Sequence, residues 1–170
     1  MSGIILPYKN IVPRIDDSAF IAQNAVITGD VEIGPDSSVW FGCVMRGDVN
    51  EIRVGARTNI QDGTIVHCTR NKFGTYIGSD ITIGHAAVLH ACVLEDGCFV
   101  GMGAIVMDGA RVESGAMVAA GALVPPGKVV KKGELWAGNP AKMMRPLSEE
   151  ELAFFPVSAR HYVELGKSYR

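Results

Sequence analysis

The chain has 170 residues, 48% of them hydrophobic and 20% charged, with a formal net charge of −2. That fits one domain over residues 1–170 and excludes long disorder. No basic run exceeds Lys131-Lys132, which argues against a nucleic-acid partner, and no apolar run approaches the roughly 18 residues of a membrane span.

In chain order, Met1 to Asn10 lacks the basic-then-apolar layout of a secretory signal and reads as a cap over a strand edge. A six-residue aliphatic step then begins at Ile21, Ile27, Ile33 and Val39, with Ala25, Val31, Ser37 and Cys43 in a small-residue slot. It slips near Arg46 to Asn50, resumes at Val54, Ile60 and Val66, slips again between Cys68 and Tyr76, and resumes at Ile77 and Ile83.

From Val88 the step is strict: Leu94, Val100, Val106, Val112, Val118, Val124 and Val130. A glycine stands three residues after each from Leu94 on, Gly97 to Gly133, and a small residue four after, as in Cys98, Ala104 and Ala110. A helix requires a period of 3.6 and a hairpin sheet a period of 2. A period of six means a triangular solenoid, with one short strand and one corner per hexapeptide and three hexapeptides per coil. From Phe20 to Gly133 this predicts about six coils, within a β-helix of about 11–135, each adding roughly 4.8 Å.

After Gly133 the period stops. Ser148-Glu149-Glu150-Glu151 reads as a capping box opening a C-terminal helical segment of about 148–168. Pro156 is expected to interrupt it. Ala159, Tyr162 and Gly166 then share the face that lies along the solenoid.

Three of the four histidines fall close together: His67, His85 one nominal coil later, and His90. Neutral imidazole is the commonest zinc ligand, and three of them plus water make an open catalytic site. His161, in the tail, reads as an ordinary surface residue. The four cysteines form no CxxC pair, and Cys43, Cys92 and Cys98 fall in the inward slot. Reduced thiols in the cytoplasm are expected. Arg46-Gly47-Asp48 and Gln61-Asp62 form a second group, which from the residues alone reads first as a surface ion pair with corner residues.

Arg46-Gly47-Asp48, Asn59-Ile60-Gln61-Asp62, His67, Ile83-Gly84-His85 and His90, with Gly101-Met102-Gly103-Ala104 and Gly138-Asn139-Pro140-Ala141, make the chain resemble the γ-class carbonic anhydrase family. The match is to its short bacterial members without an acidic loop. The resemblance implies an all-β, single-stranded left-handed parallel β-helix of hexapeptide repeats with a C-terminal α-helix. It also implies a homotrimer with zinc, or alternatively ferrous iron, at each subunit interface. His67 and His90 would come from one subunit and His85 from its neighbour. Arg46, Asp48 and Asp62 would hold trimer and site together, Gln61 would hydrogen-bond the metal-bound water, and Tyr162 would approach from the C-terminal helix.

The sequence also departs from the archetypal active members. Val49 follows Asp48 where a shuttle glutamate would stand, and the segment between His67 and His85 is too short for the acidic loop. Glu51 and Glu95 are the remaining shuttle candidates, so a slow hydratase is compatible with this chain. Other readings are a metal-dependent acyl-CoA thioesterase or hydrolase and a non-catalytic trimeric assembly subunit. A hexapeptide acyltransferase is disfavoured, since it needs one histidine.

Overall fold

The computed structural model describes residues 3–170; the first two residues of the expected N-terminal cap lie outside them. Parallel strands stack into a β-solenoid of about 7 turns, closed by one C-terminal helix. The expected period of six sets the geometry. Val100, Val106, Val112, Val118 and Val124 are fully buried and stack with Ala104, Ala110, Ala116 and Ala122 in a core too narrow for larger side chains.

The turn beyond the expected six comes from the N-terminal segment. Ile4–Leu6 pairs in parallel with Val26–Thr28, and Arg14–Ile15 with Glu32–Ile33. The segment begins the stack as well as covering its edge.

Three faces result. Phe20–Ile21, Ser38–Val39, Asn59–Ile60, Thr82–Ile83, Phe99–Val100 and Met117–Val118 stack on the first. The second carries Val26, Val44–Met45, Ile65–His67, Val88–His90, Ile105–Val106 and Leu123–Val124. Thr75–Ile77, Val93–Leu94, Arg111–Val112 and Val129–Val130 form the third. Strands Val26–Ile33 and Val44–Val54 run round the edge between second and third faces and pair on both.

Two glycines in the motifs are selected by crowding between coils. A Cβ on Gly47 would stand 2.5 Å from the Asp30 carbonyl oxygen, and one on Gly84 would stand 2.5 Å from the Met102 amide nitrogen.

One inward position differs from the expected register. Leu89, not Val88, is fully buried, and Val88 faces outward. The inward series runs Ile83, Leu89, Leu94, so one step shortens to five residues immediately after His90. Ala91 takes up the tighter corner at φ 50, a left-handed conformation that costs a non-glycine residue about 1–2 kcal/mol.

The chain ends in an antiparallel hairpin, Glu134–Gly138 with Ala141–Pro146, followed by the helix Glu149–Ser168. Both hydrogen bonds of the capping box are present. Pro156 does not interrupt the helix, which continues through it. Phe155, Ser158, Ala159 and Gly166 are buried against the first face. Burial of a side chain such as Phe155 contributes about 1.5–3 kcal/mol, enough to offset the hydrogen bond that proline cannot donate. The Thr82 and Ser158 hydroxyls meet at 2.9 Å, and the Arg170 guanidinium donates to the Asp17 and Ala19 carbonyls at the opposite end of the stack.

Candidate metal centre

His67 and His90 are register partners on adjacent strands of the second face, so their side chains project outward side by side. His67 Nδ1 and His90 Nε2 stand 3.2 Å apart. The outer nitrogen of each ring is held by a carboxylate: His67 Nε2 lies 3.0 Å from Asp48 Oδ1, and His90 Nδ1 lies 2.7 Å from Asp108 Oδ1. Burial pushes the Asp48 carboxyl up, but hydrogen bonds from His67 and Arg46 outweigh it and hold the group below its ordinary value. For Asp108 burial again pushes up, and hydrogen bonds from Thr69 and His90 bring the net shift down.

Carboxylates accept hydrogen bonds, so each neutral ring carries its proton on the carboxylate side. The inner nitrogens then present two lone pairs to one another. Such an arrangement is repulsive unless a cation sits between them. Two nitrogens bound tetrahedrally at zinc–imidazole distances lie about 3.3 Å apart, so the donor pair fits one transition-metal ion. Rings oriented by carboxylates are the usual outer support of histidine ligands.

His85 lies elsewhere, at a corner, with 45% of its side chain exposed, and its Nδ1 is 2.8 Å from Asp62 Oδ2. Its Nε2 is the nitrogen left for a ligand. Ala86, directly after it, adopts φ 57, a second non-glycine residue in the left-handed region beside a histidine. Among the described residues, no group of three or more His, Cys, Asp or Glu side chains is placed to hold a metal within one chain. The fold joins His67 and His90 and leaves His85 apart.

Arg46 Nη1 donates to Asp48 Oδ2 at 2.6 Å, completing a line from Arg46 through Asp48 and His67 to His90 and Asp108. Gln61 is 5% exposed, and its Nε2 donates to Asn59 Oδ1 at 3.0 Å. Asn59 in turn donates to Thr82, which meets Ser158, so Gln61 is braced by a buried polar ladder beneath the helix. Tyr162 packs edge-on against Trp40, ring centroids 5.5 Å apart. Burial, and then the Asp62 carboxylate, push its hydroxyl above the ordinary value.

Glu51 is engaged by Arg53 and the Tyr76 hydroxyl, and Glu95 by Arg111, so both shuttle candidates are ion-paired. Cys68 is buried with its thiol toward the Asn50 carbonyl, facing away from the ligand side of its neighbour His67. Asp108 escaped the sequence reading, although it stands 18 residues after His90, the coil interval that drew attention to His85.

No protein-family model matches the chain. It is 56% identical over 162 residues to "Gamma carbonic anhydrase 3, mitochondrial" of Arabidopsis thaliana, covering 92% of this chain and 63% of that protein. The chain thus spans less than two thirds of the length of this plant relative. It is 44% identical over 167 residues to "Carbonic anhydrase" of Geobacillus kaustophilus, covering 98% of this chain and 91% of that one. Among solved structures, a hexapeptide transferase family protein from Anaplasma phagocytophilum superposes with a TM-score of 0.95 at 51% identity, covering 98% of both chains.

Proposed function

The chain belongs to the γ-class carbonic anhydrase family, and from that premise we propose that it catalyses the reversible hydration of carbon dioxide to bicarbonate. The observation that carries this reading is the facing pair of imidazole nitrogens 3.2 Å apart, each ring held from behind by a carboxylate. His67 and His90 of one subunit would hold zinc, or ferrous iron, together with His85 of the next. Three neutral imidazoles would leave the positive charge of such a metal intact, and the chemistry it would supply when bound is a source of hydroxide near neutral pH for the hydration of carbon dioxide.

The remaining steps fall to the protein's own side chains. Asp48 and Asp62 hold the imidazoles of His67 and His85 in one tautomer and one orientation. Gln61, braced by Asn59, has its amide fixed to orient the attacking oxygen. Tyr162, its hydroxyl pushed to a higher pKa, stays protonated at neutral pH and can donate a hydrogen bond but not take a proton. With Glu51 and Glu95 in ion pairs, proton transfer to buffer is the expected slow step.

A homotrimer completes this site. Along the second face the outward positions Ile4, Val26, Val44, Ile65, Val88, Ile105 and Leu123 form one continuous aliphatic column beside the histidine pair. The third face carries Arg53, Tyr76, Val93, Arg111 and Val129 in its outward positions, so that charge interrupts its apolar residues, and the helix covers the first. An uncovered apolar column is the signature of an interface, and a cyclic trimer buries it while bringing His85 of one subunit to the pair of another. Among the described residues no helix is long and apolar enough to cross a membrane; separately, four free, buried thiols fit a reducing compartment such as the cytoplasm.

The test is carbon dioxide hydration by stopped flow on protein of known metal content, zinc-loaded and anaerobically iron-loaded. Metal-dependent hydration that disappears in His67→Ala is expected. Bound metal without hydration in either form overturns the reading and favours a thioesterase or a structural subunit.

A further inference from the structure

Asp48 and Asp108 approach the histidine pair from opposite ends of the stack. Asp48 lies 19 residues before His67, and Asp108 lies 18 residues after His90. The histidines are therefore gripped between the coil below and the coil above. The lower grip belongs to the Arg46-Gly47-Asp48 motif. The upper one has no counterpart in any motif of the sequence.

Asp108 divides its two oxygens. Oδ1 accepts from His90 Nδ1 at 2.7 Å, and Oδ2 accepts from the Thr69 hydroxyl. Thr69 and Asp108 are 39 residues apart, so this contact reaches past the coil that carries His90. An irregularity of the repeat makes it possible. The excursion between Cys68 and Tyr76 lifts Thr69 out of the strand path. Thr69 is held there by its amide to the Phe73 carbonyl at 2.9 Å and by Asn50 Nδ2 to its own carbonyl at 3.2 Å. At the next corner Gly109 N–H donates to the Ala91 carbonyl at 2.7 Å, as the corner glycines Gly103, Gly127 and Gly133 do to their lower coils, and Asp108, just before it, lies over the imidazole. A regular six-residue repeat needs no such excursion.

We propose that Asp108, clasped by Thr69, is a positioning residue of the metal centre: it sets the tautomer and the ring angle of His90 so that Nε2 faces His67 Nδ1. Without it, His90 is free to carry its proton on Nε2 and to rotate about its side-chain bonds, and the donor pair disperses. The inference rests on the metal reading above but not on the substrate. Carboxylates behind ligating histidines typically contribute 10- to 100-fold in metal affinity or activity.

The experiment compares wild type, Asp108→Ala, Asp108→Asn and Thr69→Val as intact assemblies. Zinc affinity is measured by competition with a chromophoric chelator, and the visible absorption of the cobalt-loaded proteins is recorded. In Asp108→Ala the affinity is expected to fall by about 10- to 100-fold and the cobalt bands to shift, with mass and far-ultraviolet dichroism unchanged. Asp108→Asn, which keeps an oxygen for the Nδ1–H, should recover part of the loss. Thr69→Val should fall between wild type and Asp108→Ala. Wild-type affinity and an unchanged cobalt spectrum in Asp108→Ala overturn the proposal. Should that variant fail to fold, a Thr69→Val protein equal to wild type in both readouts overturns it as well. A wild type that binds no zinc removes the metal reading and this inference together. A wild type that binds zinc but hydrates no carbon dioxide removes the hydratase reading alone, and the affinity series still decides the role of Asp108.

Discussion

His67 Nδ1 and His90 Nε2 face each other at 3.2 Å while their other ring nitrogens contact Asp48 and Asp108. On the proposed reading the two rings would supply half of a tetrahedral donor set, and the other histidine bearing a carboxylate, His85, is exposed at a corner. His85→Ala should therefore lose metal at every site while its solenoid core stays intact, as read by metal analysis and dichroism. Trimers reassembled from equal parts of His67→Ala and His85→Ala chains should regain about a quarter of the sites, because one intact partner completes the other in a cyclic assembly. Full metal retention in His85→Ala would exclude this ligand set.

The aliphatic column beside the histidines makes a separate demand. Ile65 is 39% exposed in the isolated chain and stands in the middle of that column. Ile65→Lys should convert the assembly to monomers in sedimentation experiments, since a buried unpaired charge costs several kcal/mol. Asp62→Ala, which releases His85 and its corner, should weaken the assembly more mildly; an unchanged mass at all concentrations would remove Asp62 from the interface.

Leu89 and Val88 test the shortened step. Leu89 is fully buried, and Leu89→Ala should lower the stability of the subunit by about 2–5 kcal/mol in chemical denaturation. Val88→Ala should leave subunit stability nearly unchanged and act on assembly. The reverse ranking would restore the uninterrupted six-residue register.

The docking of the C-terminal helix has a pH signature. Glu151 bridges Arg145 and the Ser148 amide, and these hydrogen bonds bring its carboxyl from 4.5 to about 2. The folded state thus favours the carboxylate, so the stabilisation is complete above pH 4.5 and is lost as the pH falls toward 2. Glu151→Gln should be less stable than wild type at neutral pH, and the gap should close through that acid window. A gap that stays constant with pH would place the effect in the cap geometry alone.

Burial pushes the thiols of Cys43 and Cys68 up to about 11 and that of Cys92 up to about 12, with Cys98 higher still. The thiolate is the reactive form. Ellman's reagent at neutral pH should label none of the four in the native protein and all four after denaturation. Rapid native labelling of Cys68 would mean that the excursion after His67 opens.

The strict period over residues 94–130 specified the solenoid by itself, because a recurring valine and a small residue in each hexapeptide fill a narrow core in only one way. The capping box was legible for the same reason, being a contact between residues three apart. The histidines, Arg46-Gly47-Asp48 and Gln61-Asp62 could be named from their identities and spacing. What the sequence did not determine were the places where the period breaks. The five-residue step after His90, the outward turn of Val88 and the continuity of the helix through Pro156 each depend on packing against another coil, which local propensity does not encode. Asp108 lay hidden for the same reason: nothing near it in sequence distinguishes it, and only the stacking of one coil on the next carries its carboxylate to His90. The periodic pattern determined which residues lie in the core; tertiary stacking decided which polar side chains meet on its surface.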